Sequence, residues 1–487
     1  MFKAAALTLA LLSVASSAVA ADKIRVVTQD GPVTGAAADG YVSFKGIPYA
    51  APPVGPLRWQ KPQPPAKWTA DFDASQFGAS CFQAEPPSHV IPGSPALQMS
   101  EDCLKLNVWT PAGAAKGGKL PVMVWIHGGG NVGGSPADFF MDGQNFAHDG
   151  VIVVSMSYRL GILGFFSYPG EKAANFGLWD QVAALRWIKT NIAAFGGDPD
   201  NVTVFGESAG GEDIITLLTA PAAHGLFAKA IIESGGGGWG PAADIADQQK
   251  TIGSRFAGQS LDALRRLSAA NLVKANGDLA DPVVDHDLLP ESPLAAFADG
   301  HAATVPIIIG TNNEEGSLLG PGVHNPASVW EHSLNAADLT AIRAAYGDTA
   351  RDDTAFAELL FRDGYFTGPS RFIARHANAW LYRFSYVLAP LQARRSGAWH
   401  GSEVPFVFER WPIDDLNADD HRVEQAIHGD WIAFAKTGNP GWAPLKASGQ
   451  EMRFDAHPSM QAPADQSALD LLDAKLSPLH RAAGYSN

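Results

Sequence analysis

Apolar positions along this chain fall into short runs separated by glycine, proline and polar turns. The runs at 120–126 (Leu-Pro-Val-Met-Val-Trp-Ile), 151–157, 202–205 and 305–309 are rich in β-branched residues and predict strands. Between them, the stretch near 179–193 predicts a helix. Strands alternating with helices imply an α/β architecture, with a large, mostly parallel central sheet flanked by helices. The segments 240–300 and 325–395 read as mostly helical insertions that cap a gorge beside the sheet and set its specificity.

The first twenty residues follow a different pattern. Lys3 precedes an apolar run from Ala4 to Val14, and Ala18-Val-Ala20 supplies a small-residue cleavage pattern. This reads as a secretory signal cleaved after Ala20, which makes the mature chain 21–487 exported, either periplasmic or secreted. No later apolar run is long enough to span a bilayer, so no stable membrane anchor is expected.

The full chain has 487 residues, 46% of them hydrophobic, and a net charge of −15; loss of Lys3 makes this about −16. Such acidity excludes the clustered basic surface that binds nucleic acid or an anionic membrane. The motifs described next spread from residue 127 to residue 400 with no low-complexity linker or repeat between them, which predicts one large domain. Cys81 and Cys103 are the only two cysteines, and in an exported chain a disulfide is their simplest assignment.

Candidate chemistry begins at Gly206-Glu-Ser-Ala-Gly210, a GxSxG pattern after the β-branched run and before the helical Glu212–Leu218. A strand, a sharp elbow and a helix expose one serine, Ser208, above a sheet, with a helix N-terminus to favour developing negative charge. A serine nucleophile needs an acid and a histidine, expected C-terminal to it and after strands. The acid comes from Thr311-Asn-Asn-Glu-Glu-Gly-Ser317, as Glu315 or the adjacent Glu314, and Glu315 is preferred. His400, in Ala398-Trp-His-Gly-Ser-Glu403, is the histidine candidate. The run 120–126 leads into His127-Gly-Gly-Gly130, where backbone N–H groups can point at an oxyanion. Gly129, Gly130 and Ala209 are the candidate donors, and His127 orients the loop. The same glycines fit GxGxxG (Gly128–Gly133), but Ser135-Pro-Ala-Asp-Phe-Phe140 breaks the helix that a dinucleotide site requires.

The chain resembles the type B carboxylesterases, the family that includes cholinesterases. The resemblance is carried by Phe44-Lys-Gly-Ile-Pro-Tyr-Ala-Ala-Pro-Pro-Val-Gly-Pro-Leu-Arg-Trp59, Ser100-Glu-Asp-Cys-Leu-Lys-Leu-Asn-Val108, Tyr158-Arg-Leu-Gly161, Gly177-Leu-Trp-Asp-Gln181, Phe195-Gly-Gly-Asp-Pro199 and Phe434-Ala-Lys-Thr-Gly-Asn-Pro440, all in the family's order. It implies the α/β-hydrolase fold and hydrolysis of a small-molecule ester with no metal or organic cofactor. By the same resemblance Ser208 is the nucleophile, Glu315 the acid and His400 the base, while Gly129, Gly130 and Ala209 form the oxyanion hole. Glu207 and Ser234 support the histidine and the acid, Cys81 is bridged to Cys103, and Arg58–Glu101 and Arg159–Asp180 brace the surrounding loops. Some relatives keep the fold as non-catalytic adhesion or binding proteins, but these typically lose the nucleophile, which is intact here. Residues 82–102 contain no Trp or Tyr and only Phe82 as an aromatic, so the cholinesterase anchor for quaternary ammonium is missing. Small to medium esters are therefore expected, with pockets shaped by loops 236–245, 317–330 and 361–371.

Overall fold

A computed structural model of the protein describes residues 23–84, 94–114, 117–237, 243–275, 280–320, 333–413 and 415–483. The signal segment 1–20 lies outside the described residues, as do 238–242 and 321–330 of the pocket loops.

The strands are β1 (Lys23–Val27), β2 (Pro32–Ala38), β3 (Tyr41–Pro48), β4 (Phe72–Asp73), β5 (Ser80–Cys81), β6 (Met99–Ser100), β7 (Lys105–Pro111), β8 (Leu120–Ile126), β9 (Ile152–Met156), β10 (Gly197–Glu207), β11 (Lys229–Glu233), β12 (Ile307–Asn312), β13 (Ala379–Phe384), β14 (Glu451–Phe454) and β15 (Ser459–Gln461). The large sheet runs β1-β2-β3-β7-β9-β8-β10-β11-β12-β13-β14-β15, with β4 paired to β2. From β9 to β14 every neighbouring pair is parallel, whereas β1, β2, β3 and β7 form an antiparallel flank and β15 returns antiparallel on β14. This is the mostly parallel, helix-flanked sheet of an α/β fold.

Alternate side chains of the central strands enter two separate cores, one on each face. Val122, Val124 and Ile126 of β8 join Val202 and Val204 of β10 and Ile307 and Ile309 of β12 on one face. Met123, Trp125, Phe205 and Ile308 pack on the other with Phe408 and Trp431. Burial on both faces explains why these strands are continuous apolar runs in sequence.

Several boundaries differ from expectation. The strand expected at 202–205 extends over Gly197–Glu207, because β8 and β11 on its two sides supply ladder partners beyond the apolar residues. The strand expected at 305–309 runs instead from Ile307 to Asn312, pairing through polar Thr311 and Asn312 with β13. The helix expected near 179–193 is α3 (Phe176–Asn191), entered from Asn175 in a left-handed conformation. Within 325–395 the helices Ala336–Tyr346, Asp353–Phe361 and Gly368–His376 appear, but Ala379–Phe384 is strand β13. Two sheet neighbours and full burial there override a local pattern with no breaker after the preceding helix. Residues 361–371 are helical rather than a loop, with a wide turn at Arg362–Thr367.

β8 sits between β9 and β10, so the connection leaving β8 runs to one side, to β9, and the connection leaving β10 runs to the other, to β11. In open parallel sheets the crevice at the carboxyl ends of such strands is where ligands bind. Both β8 and β10 end at this crevice, with Ile126 in register with Gly206.

Candidate active site

Ser208 lies between β10 and α4 (Ala209–Thr219), at φ 57° and ψ −126°. That strained conformation turns its side chain off the sheet, and backbone bonds hold it: Ser208 N–H donates to Glu233 O at 2.9 Å, and Glu212 N–H donates to Ser208 O at 2.9 Å. Gly210 permits the turn, because a Cβ there would stand 2.0 Å from Ile126 O. Helix and strand touch through bare backbone.

His400 comes from the connection after β13, on the turn that leads into a short buried helix, Val404–Phe408. The apolar residues after His400 therefore coil onto the core of the second face. His400 Nε2 accepts from Ser208 Oγ at 2.8 Å, and His400 Nδ1 donates to Glu315 Oε2 at 2.6 Å. Glu315 is completely buried, and its other oxygen accepts from Ser234 Oγ at 2.5 Å and Asn312 N–H at 2.7 Å. Three donors orient one carboxylate. The neighbouring Glu314 turns away and accepts from Ser396 Oγ at 2.5 Å, which separates the two candidates by direction.

Glu207 Oε1 stands 3.1 Å from His400 Nε2, on the side opposite the Glu315 contact. Burial works against the imidazolium, but the charges of Glu207 and Glu315 outweigh it and move His400 upward from the usual histidine range. Burial also moves Glu207 upward, against the pull of His400 and together with Glu315. Behind them lie two further buried carboxyls that the sequence did not single out. Glu403 accepts from Asn312 Nδ2, and Glu233 Oε1 accepts from Trp431 Nε1 at 2.8 Å. Both are moved upward, by burial first and then by neighbouring carboxylates.

The glycine loop after β8 turns back without opening a helix, so the GxGxxG match is a coincidence of composition. Gly129 and Gly130 have φ of 104° and 61°, conformations that suit glycine. The N–H groups of Gly129, Gly130 and Ala209 have no partner among the described residues, and all three residues line one cavity with Ser208. His127 is buried beneath the loop. Its Nδ1–H donates to Gly128 O at 2.9 Å and its ring stacks on Tyr158, whose hydroxyl donates to His127 O at 2.8 Å. Burial pushes His127 down to about 4, so the ring that makes these contacts is neutral.

One anchor of this loop is absent from the motif pattern. Asn131, at φ 56°, donates through Nδ2 to Asp213 Oδ1 at 3.1 Å, and Gln181 Nε2 donates to Asp213 Oδ2 at 2.5 Å. All three are buried, and burial pushes Asp213 up to about 7 against these two hydrogen bonds. Asp213 sits on α4 just beyond Ser208, so it ties the glycine loop to the helix that carries the serine. In sequence it is one of four polar residues, with Glu212, Thr216 and Thr219, in an otherwise apolar helix.

The expected braces form. Arg58 Nε and Nη2 donate to Glu101 Oε1 and Oε2 at 2.7 and 2.5 Å, and Arg159 Nε and Nη2 donate to Asp180 Oδ2 and Oδ1, both at 2.7 Å. Cys81 and Cys103 are disulfide-bonded. Phe82 beside the bridge packs with the cluster around Trp59, away from the lining of the cavity.

The cavity over Ser208 measures 990 Å³, and its walls include Leu318, Phe361, Tyr365, Phe366, Tyr386 and Trp399. Phe366 reaches His400, with ring centroids 5.1 Å apart. Among the described residues no group of His, Cys, Asp and Glu has the spacing to hold a metal ion.

The family model described as the carboxylesterase family matches residues 22–471. The chain is 38% identical to a para-nitrobenzyl esterase of Bacillus subtilis over 456 residues, covering 85% of this chain and 90% of that protein. It is 34% identical to a fumonisin B1 esterase of Sphingopyxis macrogoltabida, covering 88% and 85% of the two chains. Among solved structures, a PNB esterase superposes with a TM-score of 0.81 at 34% identity, covering 92% of this chain and 99% of that one. A Geobacillus stearothermophilus carboxylesterase superposes at 0.80 with 29% identity, covering 91% and 99%.

Proposed function

The chain belongs to the carboxylesterase family and is a carboxylic ester hydrolase, and on that premise we propose that it cleaves small to medium esters through an acyl-enzyme on Ser208. The observation that carries this reading is the unbroken line from Ser208 Oγ to His400 Nε2 at 2.8 Å and from His400 Nδ1 to Glu315 at 2.6 Å.

In the first half-reaction His400 Nε2 takes the Ser208 proton as Oγ attacks the ester carbonyl. The tetrahedral oxyanion points at the N–H groups of Gly129, Gly130 and Ala209, each worth about 3 kcal/mol in the transition state. The C–O bond to the alcohol breaks, the leaving oxygen takes the proton from His400, and the acyl group stays on Oγ. Water then repeats the sequence in reverse: His400 removes its proton, hydroxide attacks the acyl carbon, and Ser208 leaves with the proton returned. Glu315 holds the imidazole with Nε2 toward the serine and stabilises the imidazolium as it forms. Ser234 supports the acid, and Glu207 supports the histidine.

We further propose that residues 21–487 form one catalytic domain, exported after cleavage behind Ala20. The disulfide Cys81–Cys103 supports an oxidising destination. Among the described residues no helix is long and apolar enough to cross a membrane.

The test is turnover of p-nitrophenyl acetate and butyrate before and after an organophosphate, with the modified peptide located by mass spectrometry. Loss of turnover with one adduct on Ser208 is the expected result. Turnover that persists in Ser208→Ala would overturn the assignment, and absence of both turnover and adduct would restore the binding-protein reading.

A further inference from the structure

One ionisable side chain in the cavity has no part in the acyl-transfer steps. Among the described residues that line it, the charged side chains are Glu207, His400 and Glu212; no lysine or arginine is present. Glu212 lies on the first turn of α4, one helical turn beyond Ser208, which places it about 6 Å along the helix from the nucleophile. Its carboxyl makes no hydrogen bond or ion pair among the described residues, unlike that of Asp213 beside it.

The surroundings of Glu212 leave room for a ligand group. A second cavity of 260 Å³ branches from the gorge at Glu212, Gly237 and Tyr365, which line both spaces. Gly237, at φ 66°, keeps the opening clear: a Cβ there would stand 2.9 Å from Glu212 Oε1. Asp281, Thr216 and Ser292 also line the branch. Neither lining contains a lysine or arginine among the described residues, and the one histidine, His400, is held between Glu207 and Glu315. Burial, followed by the charges of Asp213 and Asp281, pushes Glu212 up to about 8, as happens to a carboxylate that lacks a counter-charge.

We propose that Glu212 is a specificity-determining residue that selects esters carrying a cationic nitrogen, with that nitrogen seated at the mouth of the branch while the ester carbonyl lies at Ser208. The inference rests on the acyl-enzyme reading given above. It differs from choline recognition on an aromatic face: here a carboxyl without a partner supplies the attraction, and the branch supplies the volume. A cation at Glu212 favours the ionised carboxylate that burial disfavours, whereas a neutral group leaves the carboxyl as burial sets it and an anionic group disfavours its ionisation further.

A matched pair of substrates tests this. 4-Nitrophenyl 6-(trimethylammonio)hexanoate and 4-nitrophenyl 7,7-dimethyloctanoate have the same shape and differ by one fixed charge. The readout is the ratio of their kcat/KM values in the wild type and in Glu212→Gln, a substitution that keeps the side-chain volume. The expected result is a wild-type ratio that favours the cation and falls about tenfold in Glu212→Gln, the size of a partly screened ion pair, through KM of the cationic ester. A merely structural role would lower both substrates together and leave the ratio in place. An unchanged or increased ratio would overturn the proposal while the esterase reading stands. Turnover of neither ester by the wild type would instead remove the acyl-enzyme premise.

Discussion

Glu207 and Glu315 contact opposite nitrogens of the His400 ring, at 3.1 Å and 2.6 Å, and Glu207 shares its nitrogen with Ser208. A second carboxylate on Nε2 stabilises the protonated ring and so opposes the form that accepts the serine proton.

Glu207→Gln is therefore expected to lower the midpoint of the acid limb of kcat/KM. In the wild type the proposed base is lost as pH falls through the raised folded-state value of His400, so activity is expected to decline above the usual histidine range. Removing the adjacent anion moves that midpoint down by about one unit. A pH–rate profile of the two proteins checks the sign; a midpoint that stays or rises contradicts the role given to Glu207.

Ser208 occupies φ 57° and ψ −126°, where a Cβ is strained. Ser208→Gly removes both the proposed nucleophile and the Cβ, whereas Ser208→Ala keeps the Cβ. Both are expected to abolish turnover, with the glycine variant more stable than the alanine variant by about 1 kcal/mol. Denaturant unfolding of the pair measures this, and equal stabilities would remove the strain argument.

Asp213 accepts from Asn131 and Gln181 and so fastens the glycine loop to α4. Asp213→Leu leaves two buried donors without an acceptor, at a cost of about 1–3 kcal/mol in stability for each. The loop then loses its register with Ser208, and kcat should fall about tenfold or more with little change in KM, because oxyanion donors act mainly in the transition state. Asp213→Asn, which retains one acceptor, should recover part of kcat. Loss confined to KM would rule out this positioning role.

The Cys81–Cys103 bridge closes a segment of sequence separation 22. Its removal by Cys81→Ser with Cys103→Ser is expected to lower stability by about 3 kcal/mol, through freedom regained by the unfolded chain. The cavity lies away from the bridge, so kcat at a temperature where the variant is folded should be near that of the wild type. Equilibrium unfolding and steady-state kinetics on one preparation separate the two effects.

Much of the site was readable before folding because its chemistry is local. A nucleophile elbow needs a β-branched strand, small residues at 206 and 210 and a helix immediately after, and all of these lie within a dozen residues. The glycine loop is equally local, since Gly129 and Gly130 need only their own backbone freedom. The strands β8, β9, β10 and β12 were visible as apolar runs because both of their faces are buried.

What stayed hidden depends on segments far apart in the chain. Glu314 and Glu315 are adjacent and chemically alike, and only the packing of β12 against the His400 loop turns one toward the ring and the other toward Ser396. β13 became a strand because β12 and β14 offered ladder partners, a condition no local pattern carries. Asp213 and Glu212 are neighbours on one helix, yet one is locked into the loop anchor and the other faces open cavity, since successive helical residues point about 100° apart. The sequence by itself determined the family, the fold and the residue types of the proposed acyl-transfer site. The tertiary structure decided which carboxyls meet a partner and which face a void, because burial and hydrogen bonding are properties of surroundings assembled from distant parts of the chain.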